Sequence, residues 1–253
     1  MGKVGMGLLL AALASPAQAI LIDSQGDLGV LNGTVGGNAL VIGIDGGVLQ
    51  GVGNAKTFLT IQGAGAERGY NTSGLTEFQT TPSGTTPLLR TDAPVVVNGG
   101  ITYLEFAFAL NQQGTNPTSD IQRIVLFQTS NPGLTGFNDG PTPNIGLQTN
   151  LIFAWSAAAS GQTLTVDDFV PGLDNTEMLL LIKATDFNPA LPNVVLYVEQ
   201  TNANDGPDKW VTFGSSACVA INECTNVSQP GSLALLGLGL GVIGGVTRAK
   251  QRR

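Results

Sequence analysis

The chain has 253 residues with 11 Lys+Arg against 18 Asp+Glu, a formal net charge of −7 at pH 7. Residues 20–229 keep 6 of the cations and all 18 acids, and this balance of −12 argues against nucleic acid or anionic lipid as a partner of that region. There is no histidine anywhere, which removes Ser-His-Asp and Cys-His catalysis and the usual zinc-hydrolase ligand sets.

In chain order, Met1-Gly2-Lys3 is a short positive start, Val4 to Ala14 is apolar, and Ala17-Gln18-Ala19 fits the A-x-A cleavage pattern. Residues 1–19 therefore read as a secretory signal peptide cut before Ile20, since so short an apolar run does not span a bilayer. The next segment, residues 20–217, is expected to form one domain. Apolar or alternating runs occur at Leu40–Ile44, Lys56–Ile61, Val95–Val97, Ile101–Leu110, Ile121–Gln128, Leu151–Ser156, Thr163–Val166, Glu177–Ala184, Val194–Gln200 and Lys209–Phe213. Gly, Pro, Asn and Asp clusters separate them, which is strand-and-turn punctuation. In Ile101–Leu110 the side chains of Leu104, Phe106, Phe108 and Leu110 should meet a core, while Tyr103, Glu105 and the alanines face water. Asn98-Gly99 lies between two such runs and predicts a hairpin.

The fold class that follows is all-β, an antiparallel two-sheet sandwich, jelly-roll-like. Met178-Leu179-Leu180-Leu181-Ile182 is apolar all round; periodicity does not separate strand from helix there, but the short distance between flanking Asp/Asn clusters favours a strand. Gly26 to Gly53 alternates loosely enough to suit a turn of β-solenoid as an alternative, although it has no fixed period.

Cys218 and Cys224 open a linker, residues 218–229, and are expected to form a small-loop disulfide in an oxidising compartment. Residues 230–247 are a glycine- and leucine-rich segment just long enough for a single transmembrane helix. Arg248, Lys250, Arg252 and Arg253 make residues 248–253 a basic cytoplasmic tail, which places the domain outside. Gly239 to Gly244 matches G-x-G-x-x-G but follows no strand and is not a nucleotide site.

Two carboxylates across a cleft would serve a glycosidase, and Glu67, Glu105, Asp167, Asp168 and Glu199 are available. Sequence does not pair them, and surface solubility is the expectation for all five, with Glu67-Arg68 an exposed pair between strands. Asn202, Asn204, Asp205 and Asp208 offer alternating oxygen ligands around Gly206, a candidate calcium loop for which plain turn chemistry is the better account. Tyr70, Tyr103, Trp155, Tyr197 and Trp210 are able to stack on sugars, but belong more naturally to the core or its rim.

The C-terminal arrangement of Val227-Ser228-Gln229-Pro230, the Leu/Gly-rich run after Ser232 and the arginines at the end resembles the PEP-CTERM sorting signal of Gram-negative exported proteins. Val227 and Pro230 match the usual Val-Pro-Glu-Pro, whereas Ser228 and Gln229 depart from it. The resemblance implies an exosortase substrate, cut near the motif and released to, or re-attached at, the cell surface in association with exopolysaccharide or biofilm. Gln62 to Thr72, with Asn204-Asp205-Gly206 and Trp210, also resembles uncharacterised proteins that carry such tails. The expectation is an exported, non-enzymatic surface or matrix protein whose membrane hold is transient. An uncut, membrane-anchored adhesin and an extracellular carbohydrate-active enzyme are the alternatives.

Overall fold

A computed structural model describes residues 18–44, 55–73, 78, 80, 84–111, 118–138, 144–145, 150–168, 176–204 and 206–226. The strands run β1 (Gln18–Ile22), β2 (Leu28–Asn32), β3 (Asn38–Gly43), β4 (Lys56–Ile61), β5 (Ala64–Tyr70), β6 (Leu88–Leu89), β7 (Val95–Asn98), β8 (Ile101–Ala109) and β9 (Thr118–Thr129). They continue as β10 (Phe137–Asn138), β11 (Asn144–Ile145), β12 (Asn150–Ser156), helix α1 (Ala157–Ser160), β13 (Gln162–Asp167), β14 (Met178–Lys183), β15 (Asn193–Asn204), β16 (Asp208–Thr212), helix α2 (Ala217–Ala220) and β17 (Thr225–Asn226). Every apolar run singled out in the sequence falls on one of these strands.

The strands form two main sheets. One is a seven-stranded sheet ordered β1-β13-β9-β15-β5, with β12 also on β9 and β6 on β15. The other has eight strands ordered β17-β7-β8-β14-β3-β2, with β16 joining β8 to β4. This is the expected two-sheet, sandwich-like arrangement, with one departure from the antiparallel rule. β1 lies parallel to β13, pairing Gln18 with Gln162 through Ile22 with Val166. β1 also begins two residues before the expected cut at Ile20.

Alternation assigns the faces. Leu104, Phe106 and Phe108 of β8 pack with Leu180 and Ile182 of β14, Ile124 and Leu126 of β9, and Leu196 and Val198 of β15 in the main core between the sheets. The opposite faces are buried too. Tyr103, Ala107, Leu179 and Leu181 pack under α2 with Cys218 and Cys224, and Val125, Phe127, Val195 and Tyr197 pack with Tyr70 and Leu134. Covering on both sides explains Met178–Ile182: it is a central strand, so it needs apolar side chains at every position.

It also corrects the expectation that β8 has a wet face, because Glu105 is only 1% exposed. Glu67 and Asp168 are likewise buried, so three of the five acids assigned to the surface belong to the interior. Glu67-Arg68 is not an exposed pair: the two lie within β5, Glu67 turned inward and Arg68 half-buried with its guanidinium over the Phe78 ring. The five aromatics named as sugar-stacking candidates are all buried.

Gly26–Gly43 forms the β2–β3 hairpin of an antiparallel sheet, with Leu28 opposite Ile42, and not a solenoid turn. The predicted hairpin at Asn98-Gly99 joins β7 to β8, but its two-residue turn is Gly99-Gly100, both at positive φ, while Asn98 is the last strand residue and faces Ile101. Among the described residues no helix is long and apolar enough to cross a membrane. The expected signal-peptide core, sorting motif, transmembrane segment and basic tail lie outside the described residues.

Candidate functional site

β8 brings two sets of buried carboxyl groups into one structure. The first lies at its middle. Glu105 projects from the outer face of the eight-stranded sheet and accepts hydrogen bonds from the Ser216 hydroxyl at 2.6 Å, the Ala217 N–H at 2.8 Å and the Cys218 N–H at 3.1 Å. Ser216 in turn caps α2 by accepting from the Val219 N–H. Burial pushes the Glu105 carboxyl above its ordinary range, and the three donors pull it back. The result is a clasp that fastens α2 and the Cys218–Cys224 disulfide to the central sheet. Asn98 adds a bond from its side-chain amide to the Glu223 carbonyl, and Thr225 and Asn226 pair with Val97 and Val96.

The second set lies at the far end of β8, between the sheets. Gln200 continues the inward parity of Val194, Leu196 and Val198 along β15, and its cross-strand partner Glu67 on β5 faces the same way. Asp208 shares the inward face of β16 with Trp210. One amide nitrogen, Nε2 of Gln200, donates to Glu67 Oε1 at 2.8 Å and also to Asp208 Oδ2, so the network bridges the two sheets. Glu67 and Asp208 thus lie on either side of one amide nitrogen, close enough for the charge of Glu67 to favour a proton on Asp208. Burial, then the Glu67 charge, raise Asp208 well above the ordinary carboxylate range, although the N–H of Asn111 opposes them.

Glu177 completes this end. Successive backbone N–H groups after β8 are divided between two acids: Leu110 donates to Glu177 Oε2 at 2.6 Å and Asn111 to Asp208 Oδ1 at 2.8 Å. Glu177 is fully buried, and desolvation, with the nearby Asp168 and Asp208 charges, pushes its carboxyl up to about 10. At neutral pH it is a neutral acid. Among the described residues its Oε1, the Oε1 of Gln200 and the indole N–H of Trp210 meet no hydrogen-bond partner.

Of the expected calcium ligands, Asp208 is committed to this network. Asn202 takes a left-handed conformation at the β15 bulge, is exposed, and donates to Asp120 instead. Asp205 and the side chain of Asn204 lie outside the described residues. Gly206 has a packing reason: a Cβ there would collide with the Asn111 carbonyl. Among the described residues no three histidine, cysteine or acidic side chains are arranged to hold a metal ion. Of the sequence-named site residues, Cys218 and Cys224 are brought together as a disulfide.

Sequence reasoning missed Glu67, Glu177, Gln200 and Asp208 as a group. Two signals pointed to them: Gln200 keeps the parity of an apolar strand, and Asp208 keeps that of Trp210. Being at most 1% exposed, Glu67, Glu177 and Asp208 are reached by protons, and by larger species only if this end of the sandwich opens. Their chemistry in this arrangement is proton holding and sheet bridging. No protein-family model, no curated protein and no solved structure matches the chain.

Proposed function

We propose that the chain is an exported, non-enzymatic surface or matrix protein of a Gram-negative cell. A signal peptide carries it across the inner membrane, and residues 20–217 fold outside as a jelly-roll-like sandwich. Residues 230–247 hold it briefly in the membrane as a helix, with Arg248, Lys250, Arg252 and Arg253 on the cytoplasmic side. An exosortase-type enzyme then cuts near Val227-Ser228-Gln229-Pro230 and passes the domain to an exopolysaccharide surrounding.

The observation that carries this reading is the Cys218–Cys224 disulfide, which stands a few residues ahead of the sorting motif and is fastened by Glu105 to the centre of a sheet. A disulfide used as a fixture is at home in an oxidising compartment. It gives the tail a rigid point of departure. The absence of histidine from the sequence and the interior positions of Glu67, Glu105 and Glu177 favour a structural over a catalytic role.

Mass spectrometry of the mature C-terminus tests the proposal. A new terminus close to Pro230 is the expected result. A mature chain that keeps Arg253 would sink the processing step and leave an anchored adhesin.

A further inference from the structure

We infer that Asn98 is a site of spontaneous deamidation in the folded protein, and that its conversion to aspartate or isoaspartate unfastens the Cys218–Cys224 loop from the β7–β8 turn. The backbone nitrogen that follows an asparagine attacks that residue's side-chain carbonyl carbon when its approach is open. A following glycine, with no Cβ, obstructs that approach least. The sequence has two Asn-Gly pairs, Asn32-Gly33 and Asn98-Gly99. The fold treats them differently.

Gly33 is locked. Its N–H donates to the Gly37 carbonyl at 3.0 Å, and a Cβ placed on it would lie 2.4 Å from that oxygen and 2.6 Å from the Phe153 ring. The next N–H, that of Thr34, is bound to the Ala154 carbonyl. Gly99 is exposed at the tip of the β7–β8 hairpin with φ at +56°, and beyond its chain neighbours no described atom lies within 4 Å of where a Cβ would stand. Asn98 is half-buried beside it. Its side-chain amide nitrogen donates to the Glu223 carbonyl at 2.9 Å and lies 3.9 Å from Cys224 Sγ, so local opening of the loop gates the reaction.

The step consumes only water. The Gly99 nitrogen loses its proton to solvent base and bonds to Asn98 Cγ, and Nδ2 leaves as ammonia. Water then opens the cyclic imide at either carbonyl, giving aspartate or isoaspartate. Either product carries a carboxylate, which only accepts, where Nδ2 donated to Glu223, so two acceptors face each other. Isoaspartate also adds one atom to the main chain at the residue that pairs with Ile101, next to Val97, which pairs with Thr225. Deamidation thus loosens the disulfide loop and β17 together.

The test is peptide mapping by mass spectrometry of the full, disulfide-bonded chain incubated in detergent at mildly alkaline pH, with Asn98→Asp as a mimic of one product. Acid in place of amide is expected at Asn98 at a rate at least about tenfold that at Asn32, whose glycine must first leave Gly37 and Phe153. Asn98→Asp is expected to quicken reduction of the Cys218–Cys224 disulfide by a thiol severalfold, because the loop opens more often. An Asn98 left intact, or an Asn32 that converts as fast, overturns the assignment of the site. A mimic reduced at the wild-type rate overturns its link to the loop.

Discussion

Replacing Glu177 by glutamine keeps the shape of the side chain and the acceptor for the Leu110 N–H, but removes the ability to ionise. In the unfolded chain this carboxyl titrates at its ordinary value of 4.5, and in the fold only at about 10. Between those values the folded state holds a proton that the unfolded state has released. Stability from this group is therefore whole below about 4.5 and falls as pH rises toward the folded value. At roughly 1.4 kcal/mol per pH unit, the interval from 4.5 to about 7.5 removes about 4 kcal/mol. A domain of this size converts that to a loss of ~10 °C in Tm. Asp208, raised in the same direction and paired with Glu67, adds to the wild-type slope. The amide of Glu177→Gln leaves a donor at the place of Oε1, which meets no partner among the described residues, and this offsets the gain by about 1 kcal/mol. Thermal melts of the full chain in one detergent buffer series, from pH about 4.5 to about 9, should show wild-type Tm falling with pH. The variant should fall less and melt higher than wild type at the alkaline end, with little difference at the acid end. A wild-type Tm that is flat or rises over this range, or a variant with the wild-type slope, would refute the assignment of Glu177 as a buried neutral acid.

Two further changes test the clasp on β8. Glu105→Ala strands the Ser216 hydroxyl and the Ala217 and Cys218 N–H groups, and should lower stability by about 3 kcal/mol, read as a fall in the urea midpoint with unchanged slope. Replacing Cys218 and Cys224 together by serine opens a loop of sequence separation 6 and should cost about 2 kcal/mol. Reductant added to the wild type should reproduce that loss, and a urea midpoint indifferent to reductant would count against a disulfide that supports the fold.

The strands were legible where alternation or an apolar run was strong, and the faces were less so. In Ile101–Leu110 the period of two was read correctly, yet the face carrying Glu105 looked wet because its cover, α2 and the disulfide, comes more than a hundred residues later in the chain. β5 escaped notice for a different reason. Ala64-Gly65-Ala66-Glu67-Arg68-Gly69 has no apolar alternation, and it is a strand because β15 supplies its ladder and because Gly69 must be small: a Cβ there would collide with Thr80 and Ile61. β1 was hidden behind a cleavage pattern that shares its first two residues. The buried acids were invisible as a group since each looks, alone, like a solvated charge. Only strand parity joined to tertiary pairing turns Glu67, Gln200 and Asp208 toward one point.

Both polar devices meet on β8, and this bears on how an exported domain would hold its tail. Glu105 is the middle residue of the strand, and the two N–H groups just past its end belong to Glu177 and Asp208. Among the described residues β17 contributes two paired residues at a sheet edge, a contact that tension on residue 226 would peel open one pair at a time. The next fixture inward is the loop from Cys218 to Cys224, which the disulfide keeps from lengthening, and beyond it the three hydrogen bonds to Glu105. Tension on the tail thus passes from an edge into a central strand flanked by β7 and β14 and buried on both faces, where many ladder bonds must shear together. Under the proposed reading this is where a membrane-held domain needs its strength. Paired cysteines without the Glu105 clasp would close the loop but leave it fastened to the edge alone.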